Sequence, residues 1–339
     1  MPMAAVQKVD DLVTWLLEPD QPAVRAAALQ RLLGRPPQDP EVVQARAAAM
    51  RTDPIAAILA AQQPDGWWTK PGPGYSPKYR GTVWQVIFLD QLGADPADER
   101  VRRACAYLLD HTATSAGGFG ISGAARQKAP PPSSIAHCLN GNLLRAFLGF
   151  GLGEDGRVRA AAEWAASTIL GDGRARFHAT GTSGPLFSCG ANDKQPCAWG
   201  AVKELRGLAR IPPEHRSASV ERAIEQAVAF LLSRDPAVAD YPMGWGNTTP
   251  SRSWFRLGFP SGYVTDVLQV LEVLTELGHG GDERLDHARS WLLDQRDASG
   301  RWTNRYAYTG KTEVDIEPQG RASKWVTLRA LSVLAGEWG

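Results

Sequence analysis

The stretch YVTDVLQVLEVLTEL, Tyr263–Leu277, decides how this chain is read. Its apolar residues, Tyr263, Val264, Val267, Leu268, Val270, Leu271, Val273, Leu274 and Leu277, cover nearly the whole circumference of a helix. A helix apolar on all sides belongs inside a protein. The neighbouring stretch DERLDHARSWLLDQ, Asp282–Gln295, differs in kind. There Leu285, Ala288, Trp291 and Leu292 recur every three or four residues with charges between them. That spacing predicts an amphipathic helix with one face in water.

The same contrast recurs along the chain. Amphipathic segments near 98–109, 157–169, 218–233 and 283–295 are followed by densely apolar ones near 136–150, 197–209, 262–277 and 323–335. An earlier pair lies at 54–62 and 82–92. The apolar segments start close to Thr82, Cys138, Cys197, Tyr263 and Trp325, a repeat of roughly sixty residues, in the range of stacked helical units. In an open solenoid both helices of each pair would be amphipathic. A closed double ring instead puts two-faced helices outside and apolar ones inside. The expectation is an all-α fold, an (α/α) toroid of five to six helical hairpins around a central cavity, spanning residues 51–339. Residues 1–50 hold two further amphipathic stretches, VDDLVTWLLEP (Val9–Pro19) and AVRAAALQRLL (Ala23–Leu33). These read either as an extra hairpin or as an N-terminal helical cap.

Charge and composition narrow the function. With 37 basic and 36 acidic residues the net charge is +1, which argues against nucleic acid or an anionic membrane as partner. No segment approaches the roughly 20 apolar residues of a membrane span. The first twenty residues, interrupted by Asp10 and Asp11, do not read as a secretory signal. Four cysteines in 339 residues are too few for a disulfide scaffold and fit a reducing, cytoplasmic setting.

Glycine-aromatic turns close the amphipathic segments: QQPDGWW (Gln62–Trp68), SAGGFG (Ser115–Gly120), YPMGWG (Tyr241–Gly246) and DQRDASGRW (Asp294–Trp302). Glycine supplies the turn, and the ring of Trp67, Trp68, Trp245 or Trp302 fills space under the helix end. Leu59–Trp67 and Leu293–Trp302 resemble the Gln-Trp repeat of squalene and oxidosqualene cyclases. The chain as a whole is similar to the superfamily of terpene cyclases and protein prenyltransferases, which implies the α/α toroid. That resemblance also implies an enzyme of prenyltransferase or cyclase type, acting on a small apolar, isoprenoid-class molecule. A non-catalytic toroid that binds a lipid or protein stands as the alternative.

Candidate site residues come from the starts of the apolar helices, where a helix N-terminus favours anions. Arg80, Trp84, Trp199, Tyr263 and Trp325 are expected to bind substrate, the aromatic faces suiting a carbocation or an isoprenoid chain. Cys138, Cys189 and Cys197 stand at or just before such starts, beside His137. The segment QPCAWGAVKEL (Gln195–Leu205) resembles the prenyltransferase helix that opens on a zinc-binding cysteine. FPSGYVTDVLQVLEVL (Phe259–Leu274) resembles the later helix that supplies a histidine. Here no histidine stands at that place, and Asp266 is the ligand available. The resemblance implies a zinc site, here to be formed from Cys138, Cys189 and Cys197 with Asp266 or His137, a set that departs from the family's own. Buried packing is the competing reading for the thiols. For Cys105, between Val101 and Leu109, packing is the expectation. Cyclases that protonate an alkene use a D-x-D-D run, which is absent. The nearest acidic run is VDIEP (Val314–Pro318), so Asp315 and Glu317, with Lys324 downstream, are the candidate catalytic groups.

Overall fold

The computed structural model describes residues 3–121, 129–172 and 182–335, and the side chains of residues 10 onward within them. Among these the regular structure is helical, with only isolated β-bridges. The uniformly apolar stretches become α5 (Thr82–Leu92), α7 (His137–Gly149), α9 (Ala198–Leu208), α11 (Val267–Glu276) and α13 (Lys324–Leu334), each buried on nearly every side. The two-faced stretches become α4 (Ile55–Ala60), α6 (Glu99–Thr112), α8 (Gly156–Leu170), α10 (Ala218–Leu232) and α12 (Asp286–Asp294), with α12 preceded by a separate 3-10 turn at Glu283–Leu285. No described helix is long and apolar enough to cross a membrane.

Before these lie α1 (Met3–Leu16), α2 (Pro22–Arg31) and α3 (Pro40–Ala49). Helix α2 packs beside α13. Its Arg31 lines the same interior chamber as residues of α5, α7, α9, α11 and α13. Six helices therefore face one interior, with the others around them. Lys324 Nζ at the start of α13 pairs with Glu18, at 2.8 Å, and with Asp20, joining the segment before α2 to the last inner helix.

Outer helices share a start signal. Asp98, Asp155 and Asp282 each cap a helical segment by accepting the backbone N–H two residues on. The arginine at that second position, Arg100, Arg157 or Arg284, folds back onto the same carboxylate at 2.6–2.8 Å. The cap removes an orphan donor and sets a negative charge on the positive helix end.

The turns behave as a repeat, with corrections of detail. Trp68, not Trp67, is the ring buried under the first outer helix, and Phe119 and Trp302 do the same in theirs. Trp245 does not: it is 68% exposed, and Tyr241 fills that space, its hydroxyl donating to Leu231 O at 2.7 Å. Cys105 is buried core, as its place on α6 implies.

The tightest helix pair is α7 against α9. A Cβ on Gly141 would lie 2.2 Å from Lys203 O, so only glycine permits the approach.

The ring's interior is not empty. The run Leu257–Gly262 passes through it, fully buried; Leu257 O accepts from Arg305 N–H at 2.8 Å, and side chains must satisfy most of its other polar groups. They do. Gly258 N–H donates to Asp266 at 3.2 Å, and Gly258 O accepts from Arg329 at 2.9 Å. Phe259 exchanges bonds with Asn304, and Ser261 exchanges bonds with Gln91. Gly262 N–H donates to Tyr308 at 3.1 Å, and Gly262 O accepts from Asn142 at 3.1 Å. Of the amides on the inner helices this internal segment engages Asn142 and Gln91, and its Phe259 and Ser261 line the smaller of two chambers in the interior. It also moves the start of α11: Asp266 accepts from Gln269 N–H at 2.9 Å as the N-cap, so Tyr263 stands in the loop before the helix.

Candidate functional site

The larger chamber lies where α7 and α9 begin, beneath the loops around residues 182–197 and 239–254, and has a volume of ≈ 510 Å³. Its walls carry Tyr75, Trp199, Tyr241, Trp254 and Tyr263. Behind them the rings continue. Trp84 stands 5.4 Å from Tyr75 and 6.3 Å from Tyr263, and Trp199 stands 6.2 Å from Tyr263. Tyr79 joins Trp84 and Tyr308 at 4.9 and 4.3 Å. These offset and tilted contacts fix the ring faces with little freedom to collapse. Lys78 Nζ lies 4.0 Å from the Tyr263 ring centroid and donates to its hydroxyl.

Three thiols, Cys138, Cys189 and Cys197, line the same chamber. They differ electrostatically. The Cys189 thiol is drawn down to about 6, first by a hydrogen bond from Cys197, then by backbone N–H groups of Ala191 and Asn192 and by nearby His137. The Cys197 thiol is pushed well up by the same bond and by burial. Burial and the neighbouring Cys189 raise Cys138 to about 12. Of the three, Cys189 is the thiol its surroundings most favour to ionise, with Cys197 its hydrogen-bond donor. His137 does not face it directly: Nδ1 lies 3.1 Å from Glu204 Oε1, and Nε2 lies 3.1 Å from Gly184 O. Glu204, also bound by Asn140, is raised by burial and held back chiefly by His137.

Of the expected substrate residues, Trp84, Trp199 and Tyr263 come together here. Trp325 does not. It stacks on Phe259 at 4.6 Å and lines the second chamber. Arg80 points outward to Thr312 O and to Glu313, 3.8 Å away. The expected zinc ligands are divided, since Asp266 is spent on Gly258 and Gln269 while the thiols line the aromatic chamber. No three described His, Cys, Asp or Glu side chains are placed to hold a metal ion. The described residues do not fit the tetrahedral set that zinc takes.

The three candidate catalytic groups have other partners. Asp315 accepts from Gly310 N–H at 2.9 Å in an exposed loop. Lys324 pairs with Glu18 and Asp20. Glu317 is buried, accepts from Ser323 and Asn304 and from the first N–H groups of α13, and is raised to about 7 by burial. None of the three lines the aromatic chamber.

Tyr75, Lys78, Tyr241, Trp254 and Asn192 were not singled out in the sequence. Tyr75 and Lys78 sit in a Gly-Pro-rich run before α5, where only the turn composition draws notice. Asn192 folds the Cys189–Cys197 loop by donating to Pro196 O at 2.9 Å and accepting from Gly244 N–H at 3.0 Å.

No family model and no curated protein matches the chain. Among solved structures, the chain is similar to the type II terpene cyclase MstE from Scytonema in its apo form. The two are 16% identical over 94% of this chain and 88% of that one, with a TM-score of 0.43. Complexes of variants of that cyclase with geranylgeranyl dihydroxybenzoate (substrate) and with merosterolic acid A (product) are each 14% identical. They cover 83% of this chain and 94% of that one, with TM-scores of 0.30.

Proposed function

We propose that the aromatic chamber binds a small apolar molecule of the isoprenoid class, on which the protein acts as a prenyltransferase-like or terpene-cyclase-like enzyme. The observation that carries this reading is the chamber itself: ≈ 510 Å³ faced by Tyr75, Trp199, Tyr241, Trp254 and Tyr263. That volume falls within the range of small-molecule sites. Aromatic faces attract cationic centres through their quadrupoles, and they offer broad apolar area to a polyene chain. A second reading, a binding toroid without chemistry, is favoured by one fact: no described carboxylate lines this chamber.

Titration with farnesyl and geranylgeranyl diphosphate, followed by tryptophan fluorescence and by product analysis, tests both. Saturable quenching that weakens at least tenfold in Trp199→Ala, with loss of the added diphosphate, is the expected result. Binding without consumption supports the module without chemistry. No saturable binding of either compound overturns the assignment of the chamber.

A further inference from the structure

The second chamber is lined by arginines from four helices, Arg31 of α2, Arg145 of α7, Arg206 of α9 and Arg329 of α13, with Glu272, Gln91 and Ser261. A fifth, Arg210, reaches Asp90 beside Arg145. Against these five guanidiniums stand two carboxylates in direct ion pairs, Asp90 and Glu272. Glu272 is committed to Arg329 in a two-pronged pair at 2.8 and 2.6 Å and lies 3.5 Å from Arg206. Asp90 holds Arg145 through one nitrogen only. Arg31 reaches solvent at the mouth and makes no direct hydrogen bond or ion pair among the described residues, yet its crowded surroundings push its guanidinium down, against the attraction of Glu272 and with Arg210, Arg329 and Arg206 repelling it. The last turns of α2, α5 and α9 add partial negative charge, about half a unit per helix end, which offsets only part of the excess.

The arginines thus outnumber their direct ion-pair partners, while Asp266, Glu276 and Glu317 act on Arg206 and Arg329 from farther off. Arg145 is pushed down to about 9 by burial and by Arg210, Arg206 and Arg31, despite Asp90. Arg206 is lowered as well, first by burial. Guanidinium groups brought this close without matching anions repel one another, and an oxyanion with several acceptors would relieve that repulsion.

We propose that the mouth of this chamber is a binding site for a small multivalent oxyanion of the phosphate or diphosphate class. The interior has ≈ 20 Å³ free, room for about one water, so the anion sits at the mouth. There Arg31 closes over it from α2, and the remaining N–H groups of Arg145 meet it from α7. Donors on separate helices, converging from different directions, suit a tetrahedral anion better than a planar carboxylate. The site lies toward the ends of α2, α5, α7 and α9, whereas the aromatic chamber lies at the starts of α7 and α9, and it stands independently of what that chamber binds.

Isothermal titration with inorganic diphosphate, and separately with inorganic phosphate, at ionic strength held constant with chloride, tests the proposal. One saturable site per chain is expected, with affinity reduced at least tenfold in Arg31→Gln, a change at an unpaired surface group that leaves the helical circular dichroism intact. Arg210→Gln, whose partner Asp90 keeps Arg145, should weaken binding less. Heats no larger than those of chloride, or Arg31→Gln binding as tightly as the unaltered protein, would overturn it.

Discussion

Trp68 and Trp302, far apart in sequence, make the same bond: each indole N–H donates to the carbonyl ten residues earlier, Ile58 O at 2.7 Å and Leu292 O at 2.8 Å. The likeness extends to the backbone. Trp68 N–H donates to the Thr82 hydroxyl and Trp302 N–H to the Thr327 hydroxyl, both at 3.1 Å. Each ring therefore ties the end of an outer helix to the start of an inner one. Trp68→Phe and Trp302→Phe should each cost about 1–3 kcal/mol in urea unfolding, because a buried carbonyl loses its donor. Trp245→Phe, at an exposed ring, should change stability by less than about 0.5 kcal/mol.

Gly141→Ala should be among the more damaging small substitutions. The new methyl would meet the Lys203 carbonyl at 2.2 Å, and backbone cannot step aside as a flexible side chain would. Overpacking of this kind costs about 1–3 kcal/mol or more. A fall in the denaturation midpoint of that size, with an unchanged m-value, is the expected result.

Cys189 should be the thiol that reacts first. With its thiol drawn down to about 6, it is largely thiolate at neutral pH, and the thiolate is the reactive form. Iodoacetamide labelling followed by peptide mass analysis should show a pH midpoint near 6 for Cys189. Cys138, raised to about 12, should remain unlabelled under the same conditions. Cys197→Ala removes the main stabilising hydrogen bond and should move the Cys189 midpoint upward.

Glu317 predicts a pH dependence of stability. Burial raises its carboxyl to about 7 in the folded protein, while in the unfolded chain it titrates near the usual value of about 4.3. The folded state thus binds a proton that the unfolded state has released. This contribution is complete below about pH 4.3 and is lost as pH rises through about 7. Glu317→Gln, with no proton to lose, should flatten the thermal-stability profile between pH 5 and 8.

The contrast between α11 and α12 was legible because burial on both sides and burial on one side leave different residue patterns. The zone just before α11 was not. A run such as LGFPSG looks like a surface turn, and its burial rests on Gln91, Asn142, Asn304 and Arg329, contributed from distant segments. Gln91, Asn142 and Arg329, polar residues within apolar helices, were the available signal, since buried amides and guanidiniums need partners; Asn304 lies in the loop before α13 and carried none. The placement of the aromatic group was half legible: Trp199 and Tyr263 line one chamber. Trp325 also opens an inner helix, but Phe259 of the internal segment draws it to the other side. The thiols drew notice by their place at or before the starts of apolar helices, whereas the ordering of their acidity depends on Cys197 hydrogen-bonding to Cys189 within a folded loop.

The grip of Lys324 on Glu18 and Asp20 has a consequence for how the molecule comes apart. A linear stack of repeats can fray from its last unit inward, one layer at a time. A belt buckled from first strap to last has no such outermost layer, and loosening any notch slackens the whole. Here the segment before α2 and the start of α13 share an edge, so the first and last helices of the ring shield one another.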